Sequence, residues 1–265
     1  MDYMSRTYEI LYEMQQQDEN ASHDKIDREK LISFIKNLRF ALFTNYYTED
    51  YNSYVVEKGL LEAYQNIKDS LGTLYKKYEN IINEFFDNLP TLRESLMLDA
   101  NAFFLADPAA NNFEEIISIY PGFTAIYCYR VAHFFYLKEM KHLSRIISEY
   151  AHSRTGIDIN AGATIGKSFF IDHGTGVVIG ETAEIGDNCK IYQGVTLGAM
   201  SLRDGRALKN KKRHPTLLNN VVIYSGSSIF GGDTVIGNNV TVGSNVEIKE
   251  SIPDNTVVRG NPCHK

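Results

Sequence analysis

The chain has 265 residues, of which 43% are hydrophobic, and its formal net charge is -6 at pH 7. This length is enough for two domains with a buried core, and the acidic balance argues against a general nucleic-acid binder. No apolar run approaches the roughly 18 residues that a membrane-spanning helix needs, and the first 20 residues have no apolar stretch typical of a signal peptide. The three cysteines, Cys128, Cys189 and Cys263, are too widely spaced for a disulfide framework or a paired zinc motif. We therefore expect a cytoplasmic protein without membrane or nucleic-acid partners.

The first part of the chain has the periodicity of helices. Asp27 precedes apolar residues at helical spacing, namely Leu31, Ile32, Ile35, Leu38 and Leu42. Thr91-x-x-Glu94 after Pro90 and Asn112-x-x-Glu115 both have the pattern of a capping box and predict two helix starts. We expect Asp107 at a helix end, because it precedes Pro108. The tyrosines of this half are most simply packing residues between helices.

Gly122 to Tyr136 is a strongly apolar stretch that predicts a further helix. It carries Arg130 and His133, which we interpret as structural or interface residues. Around Gly156 the composition changes to Gly, Ile, Val and Thr. We therefore predict a helical domain over residues 1–155 and a second domain over residues 156–265.

In the second domain an aliphatic residue returns every six positions. The series comprises Ile159, Ile165, Ile171, Ile179, Ile185, Ile191, Leu197, Ile223, Ile229, Ile236, Val242 and Ile248. A period of six is neither helical nor that of a simple strand, and it is typical of a parallel β-helix built from hexapeptides. The spacing fails between Ile171 and Ile179, between Leu197 and Ile223, and between Ile229 and Ile236. Breaks of a local rule are expected at functional sites.

The first break contains Asp172, His173, Gly174 and Gly176. The glycines permit backbone conformations closed to other residues, so we expect His173 on a distorted corner. A histidine beside a carboxylate is suited to act as general base for a hydroxyl nucleophile. Asp172 and Asp158 are the candidates to orient its ring, and a solvated histidine on a turn is the alternative.

The second break carries six cations between Ala199 and His214: Arg203, Arg206, Lys209, Lys211, Lys212 and Arg213. Such a loop is suited to hold phosphates, although a solvated surface loop has the same composition. Arg213 has the planar guanidinium that binds a carboxylate with two hydrogen bonds. We expect Glu181 to pair with His214.

Several segments together resemble the serine O-acetyltransferase family of hexapeptide-repeat acyltransferases. They are Asp107-Pro108-Ala109, Gly122-Phe123…Tyr129-Arg130…His133, Asp158-Ile159, Asp172-His173-x-Thr175-Gly176, Gly180-Glu181-Thr182, Gly194-Val195-Thr196-Leu197-Gly198 and Arg213-His214-Pro215. The resemblance runs from about Asp99 to Pro262. It implies an α+β fold in which an all-helical N-terminal domain precedes a left-handed parallel β-helix. It also implies the acetylation of L-serine by acetyl-CoA, giving the O-acetylserine from which cysteine is made, with no metal.

By this resemblance His173 is the general base and Asp158 its partner. The resemblance implies that Asp107 and Asp172 bind the amino group and hydroxyl of serine, with Glu181 near the same site, and that Arg213 and His214 bind its carboxylate. It places acetyl-CoA near Gly198, Ala199, Lys211 and Lys212.

The resemblance further implies a homotrimer or a dimer of trimers and a possible feedback inhibition by cysteine. The family's C-terminal tail ends in an isoleucine that inserts into a partner sulfhydrylase, whereas this sequence ends in Cys263-His264-Lys265. A cationic terminus is a poor fit to an apolar pocket, so we do not expect that complex.

Three other functions remain as alternatives. Another hexapeptide acyltransferase would act on a sugar or other small hydroxyl, and Asp107 with Arg213 favours an amino acid over such an acceptor. A non-enzymatic role would depend on the helical domain, and the pair His173 and Asp158 argues against it. A zinc hydrolase would need three convergent histidines, and the repeat contains only His173 and His214.

Overall fold

The computed structural model describes residues 3–16, 25–201, 203 and 205–260. Within them the chain begins with eight α-helices: α1 Tyr3–Gln16, α2 Arg28–Leu42, α3 Ser53–Leu71, α4 Tyr75–Asp87, α5 Leu89–Ala106, α6 Phe113–Ile119, α7 Pro121–Leu137 and α8 Lys141–Thr155. None of these described helices is long and apolar enough to cross a membrane. The predictions about Cys263 and the C-terminal residues 261–265 fall outside the described residues.

Two of the three predicted helix starts are confirmed. Asp27 caps α2 by accepting a hydrogen bond from the Lys30 backbone at 3.1 Å, and Asn112 caps α6 by accepting from the Glu115 backbone at 2.8 Å. The start at Thr91 is wrong, because α5 begins at Leu89 and has Pro90 in its first turn. The fixed φ of proline already suits the first turn, so no capping side chain is required there.

After α8 the chain changes from helices to short strands. The helix ends at Thr155, Gly156 takes a left-handed conformation with φ 70°, and the first strand begins at Asp158. The change lies where the composition shifts, and the division into domains 1–155 and 156–265 stays a prediction.

The strands form three parallel sheets, which we call faces A, B and C. Face A contains β1 Asp158–Ile159, β4 Val178–Ile179, β7 Thr196–Gly198, β10 Ser228–Phe230 and β13 Glu247–Ile248. Face B contains β2 Thr164–Ile165, β5 Glu184–Ile185, β8 Thr216–Leu217 and β11 Val235–Ile236. Face C contains β3 Phe170–Asp172, β6 Lys190–Tyr192, β9 Val222–Ile223, β12 Thr241–Val242 and β14 Val257–Val258. From β1 to β13 successive strands rotate through A, B and C, so the predicted parallel β-helix is confirmed.

The six-residue period supplies the core of this β-helix. Every aliphatic residue of the predicted series is at most 8% exposed. Equivalent positions are paired in register between coils, as Ile159 with Ile179 and Ile179 with Leu197. The sequence prediction missed Leu217, which is 1% exposed and restores the spacing six residues before Ile223. The second break therefore spans only residues 199–215.

Paired Asp and Asn side chains join the coils at the corner between faces B and C. In each coil the first residue of the pair accepts a hydrogen bond from a backbone N–H of the coil before it, at 2.7 to 3.1 Å, in the order Asp187, Asn219, Asn238 and Asp254. The second residue has a positive φ of 58° to 59°, at Asn188, Asn220, Asn239 and Asn255. Asparagine tolerates this left-handed conformation better than other non-glycine residues, which explains its recurrence at the corner.

Helix α7 fixes the helical part to the first coil. Arg130 forms a two-pronged ion pair with Asp99 of α5, whose carboxylate is fully buried and also accepts from the Phe169 backbone at 3.0 Å. Arg130 also donates to the Gly166 carbonyl at 2.8 Å, and His133 Nδ1 lies 2.7 Å from the Ala161 carbonyl. The structural interpretation of Arg130 and His133 is consistent with these contacts.

Asn239 tests the role of the B–C corner. Its side-chain amide donates a hydrogen bond to Asn255 at 2.9 Å and accepts one from Asn220 at 3.0 Å. We expect Asn239→Ala to lower the free energy of unfolding by about 1–3 kcal/mol, because it loses both bonds and because alanine lacks the short polar side chain that lets asparagine tolerate the left-handed region. Asn239→Gly is the matched control, since it loses the bonds without that backbone cost, and it should be the milder change. Urea unfolding measures both, and equal losses would contradict the backbone argument.

Candidate active site

His173 lies at the corner between faces C and A, directly after β3. Its φ is 54°, and Gly174 and Gly176 follow with φ of 82° and 78°. A Cβ on Gly174 would lie 2.4 Å from the Ile157 side chain, so the turn also requires the absence of a side chain there. A left-handed histidine is strained, and such strain collects at functional sites. The side chain is 71% exposed, so the turn presents the ring to solvent. Its place on a distorted corner agrees with the sequence prediction.

The two candidate partners of His173 differ in position. His173 Nε2 lies 3.8 Å from a carboxylate oxygen of Asp172. Asp158 is the first residue of β1 on face A. It is paired in register with Val178, which begins the strand that follows the His173 corner. No hydrogen bond among the described residues joins the Asp158 carboxylate to the His173 ring. Asp172 is therefore the nearer carboxylate in this conformation.

Asp107 lies at the C-terminal end of α5 and faces the same corner. Its carboxylate accepts from the Ala109 backbone at 2.8 Å and from the Tyr120 hydroxyl at 2.8 Å. Burial, followed by the hydrogen bond to Asp107, raises the pKa of Tyr120 to about 12, and the charge of Asp172 contributes to the same shift. Tyr120 thus holds Asp107 in place near Asp172, a role that the packing interpretation of the tyrosines missed.

Tyr192 completes this cluster from the second coil. It is the register partner of Asp172 on face C, and its ring stacks on Tyr224 with centroids 4.9 Å apart. Burial raises the pKa of the Tyr192 phenol, and the charges of Asp172 and Asp107 add to the shift. Sequence reasoning missed Tyr192, although an aromatic residue one coil length after Asp172 was the available signal.

Arg213 and Glu181 form a second cluster at the corner between faces A and B. Arg213 Nη2 lies 2.5 Å from Glu181 Oε2, and the Tyr136 hydroxyl of α7 donates to Glu181 Oε1 at 2.9 Å. The hydrogen bond from Arg213 holds the pKa of the Glu181 carboxyl below its ordinary value. The expected hydrogen bond between Glu181 and His214 is not found. The Glu181 carboxylate binds the guanidinium of Arg213 and the hydroxyl of Tyr136 instead.

His214 is packed against the same corner and is neutral. Its Nδ1 accepts from the Thr182 backbone N–H at 3.1 Å, which leaves the proton on Nε2. Burial, helped by the positive charge of Arg213, lowers its pKa to about 4. A Cβ on Gly180 would lie 2.2 Å from His214 Nε2, so the bare glycine backbone makes room for the ring. His214 is therefore an N–H donor at neutral pH.

The two clusters occupy different corners of the β-helix. Residues 173–177 connect faces C and A, whereas residues 180–183 and 199–215 connect faces A and B. A single copy of the chain therefore separates His173 from Arg213, although the sequence prediction placed both at one substrate.

The basic loop begins where β7 ends. Gly198 pairs in register with Phe230, and a Cβ on Gly198 would lie 2.8 Å from the Phe230 ring. Ala199 is half-buried and Lys211 is exposed. The Lys212 ammonium donates to the Thr182 carbonyl at 2.7 Å and lies 3.2 Å from the Glu184 carboxylate. These two contacts within the same chain fix the position of the Lys212 side chain.

Among the described residues, no group of three or more His, Cys, Asp or Glu side chains could hold a metal ion. Cys128 and Cys189 are both buried and free.

Comparison with known proteins gives a consistent set of relatives. No protein-family model matches the chain. It is 53% identical over 148 residues to the plasmid serine acetyltransferase of Synechococcus elongatus, covering 55% of this chain and 46% of the relative. It is 43% identical over 164 residues to a serine acetyltransferase of Bacillus pumilus, covering 62% of this chain and 72% of the relative. The chain thus spans about half the length of the first relative and nearly three quarters of the second.

A solved structure is similar over almost the whole chain. It is isoform 3 of serine acetyltransferase from Entamoeba histolytica in complex with cysteine, with a TM-score of 0.78 and 34% identity. The match covers 98% of this chain and 93% of that one. The helical part and the β-helix are therefore both included in the similarity.

The buried His214 gives a prediction about pH. Its folded pKa of about 4 lies below the ordinary 6.5, so the unfolded chain takes up a proton at higher pH than the folded one. The contribution to stability is complete above pH 6.5 and is lost as the pH falls towards 4. We expect His214→Asn to flatten the decline of unfolding free energy in this window, measured by urea unfolding at a series of pH values. The exposed His142→Asn should keep the wild-type slope, and an unchanged slope in His214→Asn would contradict the assignment.

Proposed function

Because the chain belongs to the serine acetyltransferase family, we propose that it transfers the acetyl group of acetyl-CoA to the hydroxyl of L-serine. The product, O-acetyl-L-serine, serves cysteine biosynthesis, and we place this activity in the cytoplasm. The observation that carries the proposal is the strained, exposed His173 beside Asp172, with Asp107 converging on the same corner. Two carboxylates at one histidine suit an acceptor that has both a hydroxyl and an ammonium group.

His173 is the proposed general base. The serine hydroxyl oxygen attacks the carbonyl carbon of the thioester while His173 accepts the hydroxyl proton. The carbon–sulfur bond then breaks, and the protonated ring returns the proton to the departing thiolate of CoA. A positioned base of this kind contributes roughly 10²–10⁴ in rate. Asp158 or Asp172 keeps the ring oriented, and Asp158 is the partner that the family resemblance favours.

Asp107 and Asp172 are the proposed ligands of the serine ammonium group. The Asp107 carboxylate accepts hydrogen bonds from Tyr120 and from the Ala109 backbone, so its conformation is fixed before the substrate binds. Charge-assisted hydrogen bonds from an ammonium to a carboxylate are stronger than neutral ones. This pair supports an amino acid as acceptor over a neutral sugar, and the carboxylate site at Arg213 distinguishes an amino acid from an amino sugar.

Arg213 and His214 are the proposed ligands of the serine carboxylate, supplied by a neighbouring copy. Glu181 and Tyr136 fix the guanidinium of Arg213, and His214 adds a neutral N–H donor. In one copy, Arg213 and His214 lie at the A–B corner and His173 lies at the C–A corner. In a closed ring of copies, the A–B corner of one copy can face the C–A corner of the next, so that the three residues meet. A homotrimer satisfies this requirement. The alternative assembly is a dimer of trimers, in which the helical domains join the two trimers.

Acetyl-CoA is the proposed second substrate, bound where β7 ends. Gly198 and Ala199 are half-buried at the strand end, and the exposed Lys211, which forms no ion pair with any described residue, offers a cation to phosphate. Lys212 is already engaged with Glu184 and Thr182, so its proposed contribution is to shape the loop as well as to attract the phosphates.

Cysteine is a proposed inhibitor of the same site. A relative's structure contains cysteine, and cysteine shares the ammonium and carboxylate of serine. The groups proposed to bind serine therefore suit cysteine equally well.

We predict that His173→Ala lowers turnover by roughly 10²–10⁴ while the protein stays folded, because only the proton acceptor is lost. Release of free thiol from acetyl-CoA with serine measures turnover, and thermal melting checks folding. Asp158→Asn should be milder, since it only misorients the ring. Near-wild-type turnover of a folded His173→Ala would overturn the assigned base.

We predict that Arg213→Ala raises the KM for serine far more than the KM for acetyl-CoA. The lost carboxylate contact is worth about 1.5–3 kcal/mol, roughly a 10- to 150-fold change in KM. Equal effects on both substrates would instead place Arg213 at the phosphates of acetyl-CoA.

Co-expression of His173→Ala and Arg213→Ala copies tests whether the site spans two subunits. Each variant alone should be nearly inactive at low serine. In a closed ring of randomly mixed copies, about a quarter of the sites combine an intact His173 with an intact Arg213, so activity should return. No recovery in assemblies shown by mass spectrometry to be mixed would confine the site to one copy.

A further inference from the structure

We propose that the hydroxyl of Tyr192 is the third ligand of the acceptor's ammonium group, beside Asp107 and Asp172, and that Tyr224 holds it there. This inference rests on the proposed function and adds a specificity-determining residue that neither the sequence motifs nor the relatives' names assign.

The β-helix register places Tyr192 at the site. Asp172 ends β3 and Tyr192 ends β6, and the two residues are directly paired on face C. Neighbouring strands lie about 4.8 Å apart, and side chains at paired positions project from the same face. Tyr192 and Asp172 therefore project side by side towards the space that Asp107 and Tyr120 cover.

The ring of Tyr192 is held from two sides. Tyr224 of the third coil stacks on it with centroids 4.9 Å apart and an interplanar angle of 26°. Phe170 of the first coil meets it edge-on at 6.2 Å and 84°. Aromatic pairs of these geometries are favourable beyond the area that they bury. The ring is thus positioned before any substrate binds.

The hydroxyl of Tyr192 has no assigned partner. It makes no hydrogen bond to any described residue, and it is not among the buried polar atoms that lack one, so it is open to solvent. By contrast, the hydroxyl of Tyr120 is committed to Asp107. Burial raises the pKa of the Tyr192 phenol, and Tyr224, Asp172 and Asp107 add to the shift in that order. The geometric link to the site is the direct pairing of Tyr192 with Asp172.

An ammonium group matches this arrangement. It has three N–H donors and no acceptor, and two carboxylates leave one donor without a partner. A protonated phenol retains lone pairs on its oxygen and accepts that third hydrogen bond. A sugar hydroxyl in the same place would not benefit from the two carboxylate charges.

The test compares Tyr192→Phe with Tyr224→Phe in the full-length protein. Tyr192→Phe keeps the ring and removes only the hydroxyl, so it should raise the KM for serine roughly tenfold or more, as expected for a hydrogen bond to a charged group. Turnover at saturating serine and the KM for acetyl-CoA should stay within about twofold of the wild type. Tyr224→Phe keeps the stack, so it should raise the KM for serine much less than Tyr192→Phe does.

A third variant tests how Tyr192 is held. Tyr224→Ala removes the stacked ring, and we expect an intermediate increase in the KM for serine that disappears when Tyr192→Phe is already present. Additive effects of the two changes would overturn the claim that Tyr224 acts through Tyr192.

The outcomes separate this inference from the proposed function. Wild-type protein that releases no thiol with serine and acetyl-CoA would overturn the function itself. An active wild type with an unchanged serine KM in Tyr192→Phe would overturn only the role of Tyr192. Equal increases in both KM values would make Tyr192 a structural residue.

Discussion

The stacking of short strands in register is the constraint on which the structure depends. Strands of two or three residues cannot bury their aliphatic side chain alone, so each coil is stabilised by the coils above and below it. A one-residue slip on a face would move Ile179 or Leu197 out of the core. Extra residues are therefore accepted only at corners. The three breaks of the six-residue period all fall there, at residues 173–177, 199–215 and 231–234, and the first two carry the candidate site.

The buried ion pair of Asp99 and Arg130 connects the helical part to the first coil of the β-helix. The Asp99 carboxylate accepts from Arg130 and from the Phe169 backbone, while Arg130 also donates to Gly166. Removing either partner would leave a buried charge without compensation, which is a large destabilisation. The same junction sets the C-terminal end of α5, and so the position of Asp107 at the corner. A buried ion pair outside the site therefore helps to determine the geometry inside it.

What the sequence predicted well is local or periodic. The period of six predicted the β-helix because each repeat follows the same packing rule, and the caps at Asp27 and Asn112 depend on three neighbouring residues. Leu217 was missed because the long basic loop interrupts the count. The helix start at Thr91 was wrong because Pro90 makes a cap unnecessary. The pairing of Glu181 depended on a distant Arg213, and the roles of Tyr120 and Tyr192 depended on neighbours 13 and 20 residues away, which no local pattern specifies. The roles of the site residues remain proposals for the same reason.

The two histidines of the β-helix show how one scaffold gives the same side chain two chemical roles. His173 is exposed on a strained turn next to Asp172, where a ring is free to meet a substrate and exchange a proton. His214 lies against Gly180 with its Nδ1 occupied by Thr182, and burial keeps it neutral. A neutral imidazole with a fixed N–H is a donor that does not change its charge near pH 7. The corner of the first coil thus suits proton transfer and the next corner suits binding, and a division of this kind between environments is how acid–base assignments are made in enzymes. Since the two corners lie apart in a single copy, the proposed chemistry depends on the proposed assembly.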